Sequence, residues 1–269
     1  MTESNGTFSG LGALRQKIEA KKNRGDDEEK VVWLSTRLNE NDGLLKVRFM
    51  QELAADPENE HYRPEWGIYF GATEHQAPGP KGYLSRALDT GDLEGRDWAQ
   101  EQHLENPKLG WWKRDNFYIN VAIEYTNAKG EKTTEVAVLS RPIGHHLVEK
   151  LIDIHDEEGA ISHKTFWLKK EGSNFDTKWK LTTAINGERL GPDDQISFDG
   201  LQPYDLAKRA VIHVPYAEQE KFYMRNADIA YAQRKLDEKE GKKTKDDPWA
   251  GDSDEPSGNS APAGKKYGW

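Results

Sequence analysis

The chain is divided into short stretches of alternating apolar and polar residues, and these stretches limit its fold more than any other feature. Residues 117–126 and 133–140 alternate on either side of Asn127-Ala128-Lys129-Gly130. Residues 165–169 and 174–183 alternate on either side of a Glu-Gly turn. A period of two around a tight turn predicts a β-hairpin. Two hairpins with one helical segment between them favour an OB-type Greek-key barrel over a sheet built from βαβ units.

The same periodicities assign the other segments. We expect strands at residues 31–37, 44–53 and 68–70, with the first two joined as a hairpin at Asn41-Asp42-Gly43. Residues 144–153 place apolar side chains at helical spacing and predict one helix between the two later hairpins. The predicted fold is therefore mainly β with peripheral helices.

Composition divides the chain into a core and two distinct ends. Residues 1–30 contain a basic amphipathic helix that is too short to be stable without a partner surface. Residues 31–216 form the predicted β core, interrupted by an insertion at residues 71–110 that is rich in Gly, Pro and Asp. Residues 217–240 are predicted as a C-terminal helix, and residues 241–269 carry no structural signal and are predicted to be disordered.

The composition excludes several classes of protein. The chain contains no cysteine, so it can form neither disulfides nor thiolate zinc sites. No apolar run approaches the roughly 20 residues that a membrane helix needs, and no signal peptide is visible. We therefore expect a cytoplasmic protein without a membrane partner. The net charge of −9 does not argue against a nucleic-acid partner, because binding depends on the local field of the contact surface.

Aromatic residues are interleaved with lysines and arginines on the predicted strands. Residues 111–118 read WWKRDNFY and residues 166–170 read FWLKK. Bases stack on aromatic rings at roughly 1–3 kcal/mol each and cations follow the phosphates, so this mixture is typical of a single-strand binder. The residues expected to contact single-stranded DNA are Arg37, Arg48, Lys108, Trp111, Trp112, Lys113, Arg114, Phe117, Tyr118, Lys164, Trp167, Lys169, Lys170, Phe175, Lys178 and Lys180.

A purely structural interpretation competes with this one. On an alternating strand about half of the rings face the core, and lysines on the other face are ordinary surface residues. Phe117 and Ile119 share one face and Tyr118 and Asn120 share the other, but the period alone does not show which face is buried. Clustering of lysines and arginines in an acidic chain favours DNA contact for the set as a whole. We therefore expect these basic and aromatic segments to form one continuous trough.

Four segments together resemble a known family. They are LLKVRFMQ at residues 44–51, KRDNFYINVAI at 113–123, IGHHLVEKLIDI at 143–154 and EGSNFDTKWKL at 171–181. Their order and spacing are similar to those of the helix-destabilising single-stranded DNA-binding protein of T-even-like tailed bacteriophages. The resemblance covers residues 11–185 with gaps.

The resemblance implies an OB-fold whose cleft binds single-stranded DNA cooperatively and without sequence preference. Such a protein serves phage DNA replication, recombination and repair in the cytoplasm of the infected host cell. Lys113, Arg114, Phe117 and Tyr118 would line the cleft and Phe175 would lie near it.

The resemblance also implies roles for the two ends of the chain. The basic arm would promote side-by-side binding of protomers through Arg15, Lys17, Lys21, Lys22 and Arg24. The tail would recruit replication and recombination proteins such as a polymerase, a helicase loader and a recombinase. Its candidate contact residues are Asp246, Asp247, Trp249, Asp252, Asp254, Glu255 and Trp269.

The chain departs from the family pattern in two places. The family carries a zinc-binding Cys/His motif in the insertion before the basic-aromatic strand, whereas EGRDWAQEQH at residues 94–103 has no cysteine. We expect His75 and His103 to be surface loop residues, and we predict no metal and no other cofactor. Lysines and aromatic residues end the tail at residues 265–269, so a docking peptide is an alternative to an acidic mimic of DNA.

No catalytic motif is visible in the sequence. It has no phosphate-binding glycine loop, dinucleotide-binding turn or nucleophile elbow, and we predict no enzymatic activity. His145 and His146 are expected on a solvated helix face. Two other functions stay open: a carbohydrate-binding β-module, which nine tryptophans would suit, and a phage structural or assembly protein whose tail docks on a partner.

Overall fold

A single antiparallel sheet forms the centre of the protein, which is described at residues 30–127, 129–172 and 178–240 of a computed structural model. Its strands are β1 (Leu44–Phe49), β2 (Phe70–Gln76), β3 (Arg86–Leu88), β4 (Lys113–Thr126), β5 (Lys132–Pro142), β6 (Phe166–Glu171) and β7 (Lys178–Thr182). A separate ladder joins β8 (Ala184–Ile185) to β9 (Glu188–Arg189). The helices are α1 (Leu34–Glu40), α2 (Gly91–Glu94), α3 (Trp98–Glu105), α4 (His146–Glu158), α5 (Leu206–Arg209), α6 (Tyr216–Met224) and α7 (Ile229–Lys239), with 3₁₀ turns at Gly82–Leu84 and Pro192–Asp194.

The long strand β4 organises the sheet because it carries a partner on each edge. One edge pairs with β5 along its length, from Asn116↔Pro142 to Thr126↔Lys132. The other edge is shared, with β2 paired to residues 113–118 and β1 paired to residues 121–124. β3 extends the sheet beyond β2, and β6 and β7 extend it beyond β1.

The architecture confirms a mainly antiparallel β fold with surrounding helices, but the sheet is not a closed barrel. Among the described residues, no ladder joins β5 to β7. The two strands still approach each other, because the Arg141 guanidinium lies 3.6 Å from the centre of the Trp179 ring. His146, at the start of α4, places its Nε2 2.9 Å from the carbonyl oxygen of Trp179. The Arg141 side chain and the start of α4 therefore span the gap between β5 and β7 that a hydrogen-bonded ladder would close.

Odd-numbered residues of β4 face the main hydrophobic core inside the curled sheet. Phe117, Ile119, Val121 and Ile123 are buried there. They pack with buried residues of β1, β5, β6, α1 and α4, among them Leu34, Leu38, Leu45, Val47, Phe49, Leu139, Leu147, Leu151, Phe166 and Leu168. Burial of each such side chain contributes roughly 1.5–3 kcal/mol, so this cluster is the main source of the sheet's stability.

The even-numbered face of β4 is covered in its middle by the chain that follows β9. Asn120 donates to the carbonyl oxygen of Tyr204 and accepts from the Tyr204 N–H. Ile196 packs beside Met50 and Ala122. The two ends of this face are left outside that cover.

The first predicted hairpin is wrong in its first half. Residues 31–37 were expected as a strand, but α1 begins at Leu34. Leu34 and Leu38 are four positions apart and both are buried in the main core, so helical spacing prevails over the short alternating pattern. The turn itself is present, with left-handed φ values of 53° at Asp42 and 75° at Gly43, and β1 follows it but ends at Phe49 rather than at residue 53.

The single C-terminal helix predicted at residues 217–240 is two helices. The chain turns between α6 and α7, where the Asp228 side chain accepts from the Tyr231 N–H and caps α7. The Asp228 N–H also donates to the carbonyl oxygen of Pro78. This contact fixes the start of α7 against the insertion.

Several predictions concern residues outside the described ranges. They are the basic helix within residues 1–29, the tail at residues 241–269 and the proposed contact of Phe175. Within the described ranges, no helix has the combination of length and apolar character that crossing a membrane requires.

Candidate nucleic-acid interface

Two cavities lie on the even-numbered face of the sheet, at the end where β2 and β3 pair with β4. The larger, of about 840 Å³, opens between residues 30–36, β3 and α5. Its charged and aromatic lining residues are Lys30, Trp33, Glu74, Tyr83, Arg86, Arg141 and Arg209. The smaller, of about 320 Å³, lies between the start of β4 and α7. Its charged and aromatic lining residues are Lys108, Trp112, Arg114, Tyr231, Lys235 and Lys239.

The register of the sheet shows that these cavities are neighbours. Gln76 in the smaller cavity is the cross-strand partner of Arg86 in the larger one. Arg114 in the smaller cavity is likewise the partner of Glu74 in the larger one. Cross-strand partners point to the same face about 5 Å apart. We therefore describe the two cavities together as the basic cleft.

The basic cleft is strongly cationic in a chain of net charge −9. Apart from Arg141, seven of its lining residues are lysines or arginines, whereas Glu74 is its one acidic lining residue within the described ranges. Lys108 and Lys235 are paired to Glu240 and Glu238 at its rim. Arg114 is exposed and makes no ion pair with any described residue. A multivalent anion would therefore find a concentrated positive field here.

Each cavity also presents one well-exposed aromatic ring. Tyr83, on the 3₁₀ turn before β3, is 62% exposed, and Trp112, just before β4, is 49% exposed. Flat apolar rings are costly to leave in water, and rings beside cations are suited to stacking with planar groups. The cleft thus combines cations with accessible ring faces in both of its parts.

Glu74 is buried and serves to fix the floor of the cleft. It accepts hydrogen bonds from Asn116 Nδ2 at 2.7 Å and from the Tyr118 hydroxyl. Arg86 Nε lies 3.4 Å from its Oε1 and Arg86 also donates to the Tyr118 hydroxyl at 3.2 Å. Burial, together with the Glu74 charge, raises the pKa of Tyr118. The phenol therefore stays protonated, and the network holds the Arg86 guanidinium in place at the cleft.

Arg141 lies at the edge of the larger cavity, but its side chain points to the opposite face of the sheet, since its cross-strand partner is the core residue Phe117. It donates to the carbonyl oxygen of Ser140 at 2.8 Å and stacks on Trp179. Burial lowers its pKa to about 10. The guanidinium is still charged at neutral pH, and its contact with Trp179 links β5 to β7 behind the cleft.

Only part of the predicted DNA-contact set lies in the basic cleft. Lys108, Trp112 and Arg114 line it directly. Lys113 points to the opposite face of β4, where its Nζ lies 2.6 Å from the Asp89 carboxylate. That ion pair raises the pKa of Lys113. Lys113 is thus held next to the insertion rather than in the cleft.

Three predicted stacking residues are buried, which corrects their assignment as base platforms. Trp111 is 2% exposed and packs against Trp98 and Tyr223. Phe117 belongs to the main core, and the Tyr118 ring is buried below the cleft. None of these rings has a free face for a base in this conformation. Their role is to support the strand that carries Arg114.

Besides Lys108, Lys113 and Lys169, which pairs with Glu171, four more predicted cations are engaged in contacts within the protein. Arg37, on α1, pairs with Glu135 at 2.6 Å and Glu40 at 2.8 Å, and Lys164 pairs with Glu158. Lys170 donates to Asn39. Arg48 donates to the carbonyl oxygens of Ser162 and Ile196 beneath the covering chain. These side chains stabilise the fold and would have to leave their partners to reach a phosphate.

The remaining predicted residues form a second basic surface at the other end of the same face. Trp167 lies next to Lys46, which is the cross-strand partner of Glu124. Glu124 is ten residues along β4 from Arg114, roughly 33 Å at strand geometry. Lys169, Lys178 and Lys180 continue this surface on β6 and β7. The covering chain at residues 195–204 lies between the two groups, so the single trough predicted from the sequence is wrong.

Several residues that line the cleft were not among the DNA-contact residues predicted from the sequence. Tyr83 and Arg86 lie in an insertion that was not divided into elements, and Arg141 and Arg209 stand alone in apolar or mixed segments. For the cleft residues on α7, however, the sequence does contain a recognisable pattern. Tyr231, Lys235 and Lys239 repeat every four residues, which places them on one helix face, and that face lines the cleft.

The histidine expectations also need correction. His75 is not on a surface loop but in β2, where it is 0% exposed, and His103 lies on α3. His145 accepts from the Leu147 N–H as the N-cap of α4, and His146 contacts β7. His146 is exposed, as expected, while its Nε2 also holds α4 against the sheet, and His145 is half-buried at the start of the helix.

Fold and cleft together define a class of molecule: an open antiparallel sheet with a cationic, aromatic groove at one end. Comparison with protein-family models and with curated proteins finds no match to this chain.

Proposed function

We propose that this protein binds single-stranded DNA without sequence preference, through the basic cleft and without catalysis. The observation that carries the proposal is the concentration of seven cations around two exposed rings, Tyr83 and Trp112, in an acidic chain. Phosphate contacts give affinity that depends on salt, and base stacking on rings contributes roughly 1–3 kcal/mol per base without reading sequence.

The organisation of the sheet supports a finer assignment. We propose that the curled sheet, bridged by α4 and by Arg141 over Trp179, is an opened OB-type arrangement. OB-folds bind single strands along one face of the sheet. Together with the resemblance to the T-even-like phage protein, this supports our proposal of a role in phage DNA replication, recombination and repair in the host cytoplasm. Self-association through the arm and recruitment of replication proteins through the tail belong to the same proposal.

The test is a fluorescence titration of the full-length chain with oligo-dT at several salt concentrations. Binding should quench tryptophan emission and weaken steeply as salt rises. Arg114→Glu should weaken binding and flatten the plot of log affinity against log salt by about 0.7, the value for one single-strand phosphate contact.

Lys180→Glu is the matched control. It makes the same change of charge at an exposed β7 residue that has no ion pair with described residues. Affinity should match that of the wild type. If Lys180→Glu weakens binding and Arg114→Glu does not, the interface is the β6–β7 surface instead of the cleft. No binding by the wild type at low salt, or tighter binding to oligosaccharides than to oligo-dT, refutes the function itself.

A further inference from the structure

Two arginines meet around one phenylalanine on the even-numbered face of the sheet, beside the basic cleft. Arg48 Cζ lies 4.2 Å from the centre of the Phe198 ring, and Arg63 Cζ lies 4.6 Å from it. Arg63 Cζ also lies 4.4 Å from the centre of the Trp66 ring. Trp66 meets Phe198 edge to face, with ring centres 5.3 Å apart. The Phe198 ring is therefore held by two cations and an indole.

Neither arginine has an acidic partner. Among the described residues, no carboxylate lies within ion-pair distance of Arg48 or Arg63. Arg48 donates to the carbonyl oxygens of Ser162 and Ile196. Burial and the charge of Arg63 lower the pKa of Arg48. Two like charges on one ring repel each other, so an anion that reached both guanidinium groups would relieve this repulsion.

The surroundings of the ring are fixed by the sheet and do not depend on Phe198. Arg48 lies in β1. Trp66 is held through Gln51, whose Nε2 donates to the Trp66 carbonyl oxygen at 2.7 Å. Gln51 Oε1 in turn accepts from the Asn120 N–H of β4 at 3.0 Å. The arrangement of arginine and tryptophan would therefore persist if the phenyl ring left.

This group of side chains is continuous with the basic cleft. Arg48 is the cross-strand partner of Ala122, which is four residues along β4 from Tyr118 below the cleft. That separation is roughly 13 Å at strand geometry. Tyr204, at the end of the covering chain, lies under the cleft residue Arg209, whose Cζ is 5.3 Å from the centre of the tyrosine ring. A strand bound in the cleft would reach Phe198 along the same face.

Phe198 belongs to a segment that is fastened at its two ends. Ile196 and Tyr204 are hydrogen-bonded to the residue before β6 and to β4, respectively. Between them, the hydrogen bonds that residues 197–203 make with described residues all stay within the segment. Its middle is held on the sheet by the Phe198 ring and by the packing of Leu201. The segment can therefore lift without breaking a hydrogen bond to the sheet.

We propose that Arg48, Arg63 and Trp66 form a nucleobase site that Phe198 occupies until single-stranded DNA displaces it. A base stacks where the phenyl ring lies, and the phosphate next to that base neutralises the two arginines. Residues 197–203 lift to admit the strand. The cost of opening the site lowers the affinity of the closed protein for DNA. This inference rests on the proposed function, since it extends the basic cleft by one base site.

The experiment compares the full-length wild type with Phe198→Ala in the oligo-dT titration at low salt. Truncation vacates the site and leaves its arginines in place. Oligo-dT should therefore bind roughly 3- to 30-fold more tightly, the factor that corresponds to loss of one competing cation–π contact. Phe222→Ala is the matched control, because it truncates another half-buried phenylalanine, whose ring contacts Tyr223 and not an arginine. Its affinity should equal that of the wild type.

A second substitution connects the gain in affinity to the site itself. Added to Phe198→Ala, Arg63→Gln should cancel the gain, because it removes one of the two cations that hold the base and its phosphate. Arg225→Gln removes the same charge from an exposed residue at the end of α6. Added to Phe198→Ala, it should preserve the gain. Thermal unfolding of each variant checks that the fold is intact.

The outcomes separate this inference from the proposed function. If the wild type binds oligo-dT and Phe198→Ala binds no more tightly, the base site is refuted and the proposed function is unaffected. Equal loss of the gain with Arg63→Gln and Arg225→Gln also refutes the base site. Absence of binding by both the wild type and Phe198→Ala refutes both proposals. Binding by Phe198→Ala alone supports the base site and contradicts the function proposed for the wild type.

Discussion

At the scale of single residues, two adjacent tryptophans show what periodicity can and cannot assign. Trp111 is buried against Trp98 and Tyr223, whereas Trp112 is half exposed in the basic cleft. Gly110 directs them apart. Its φ of 106° lies in the left-handed region, and a β-carbon there would come within 3.3 Å of Trp112 Nε1. Because both tryptophans precede β4, the strand period does not reach them, and the sequence could not separate their roles.

Truncation of these two rings should have opposite consequences. Trp112→Ala should reduce oligo-dT affinity by roughly 1–3 kcal/mol, the contribution of one stacked base, and leave stability nearly unchanged. Trp111→Ala should destabilise the fold by roughly 3–5 kcal/mol, because it leaves a cavity in a packed cluster. Urea unfolding and the oligo-dT titration measure the two quantities.

The pair contains its own control. Each variant replaces one tryptophan by alanine at neighbouring positions, so a difference between the two variants cannot come from composition. If Trp112→Ala lowers stability as much as Trp111→Ala, the half-exposed ring is part of the core. If it leaves affinity unchanged, Trp112 is not a stacking residue.

At the scale of elements, the sequence predicted the type of secondary structure correctly where the hydrophobic pattern was long. The hairpin of β4 and β5 follows from two extended alternating runs around a turn, and the helix at α4 follows from four apolar residues at helical spacing. Residues 31–37 were misassigned because seven residues support either period. Only the tertiary contacts of Leu34 and Leu38 decide in favour of a helix. Short elements inside the insertion were invisible for the same reason.

The turn between β2 and β3 is the element on which one cavity depends. Gly82 packs so closely that an added β-carbon would lie 1.8 Å from the Ala77 carbonyl oxygen. Gly82→Ala should therefore force the turn open, destabilise the protein by about 1–3 kcal/mol or more, and weaken DNA binding because Tyr83 is displaced. Thermal unfolding and titration measure both effects.

Gly144→Ala is the control for this substitution. Gly144 has open space around its Cα and an ordinary φ, so an added methyl group meets nothing. Stability should change by no more than about 0.5 kcal/mol, as at ordinary surface positions. Equal stability of Gly82→Ala and Gly144→Ala would mean that the turn tolerates a different path.

At the scale of the whole molecule, the grouping of the basic and aromatic residues could not be predicted from the sequence. Basic and aromatic residues were expected in one trough, yet the covering chain at residues 195–204 separates the cleft from the β6–β7 surface. That covering chain has no regular period, so no sequence pattern announced where it would lie. The location of the cleft depends on cross-strand register, which only long-range pairing determines.

The arm provides a test at the same scale. Deleting residues 1–25 should reduce the cooperativity of binding to long oligo-dT more than the affinity for an oligonucleotide that holds one protomer. The reason is that the short basic helix predicted there from the sequence would be marginal alone and would gain stability on a neighbouring protomer. The ratio of the two affinities is the measured quantity.

Removal of residues 241–269 serves as the control, because the tail is not assigned to contacts between protomers. Cooperativity should persist in that variant. An unchanged affinity ratio after deletion of residues 1–25 contradicts the assigned role of the arm.

The double pairing of β4 has a consequence for the natural variation of such chains. Its first half is held by β2 and its second half by β1, while β5 runs along both. One inserted residue after Tyr118 would keep Arg114 in place but turn Val121 and Ile123 out of the core. Lineages of this protein should therefore gain and lose residues in the connections and keep the length of this strand constant.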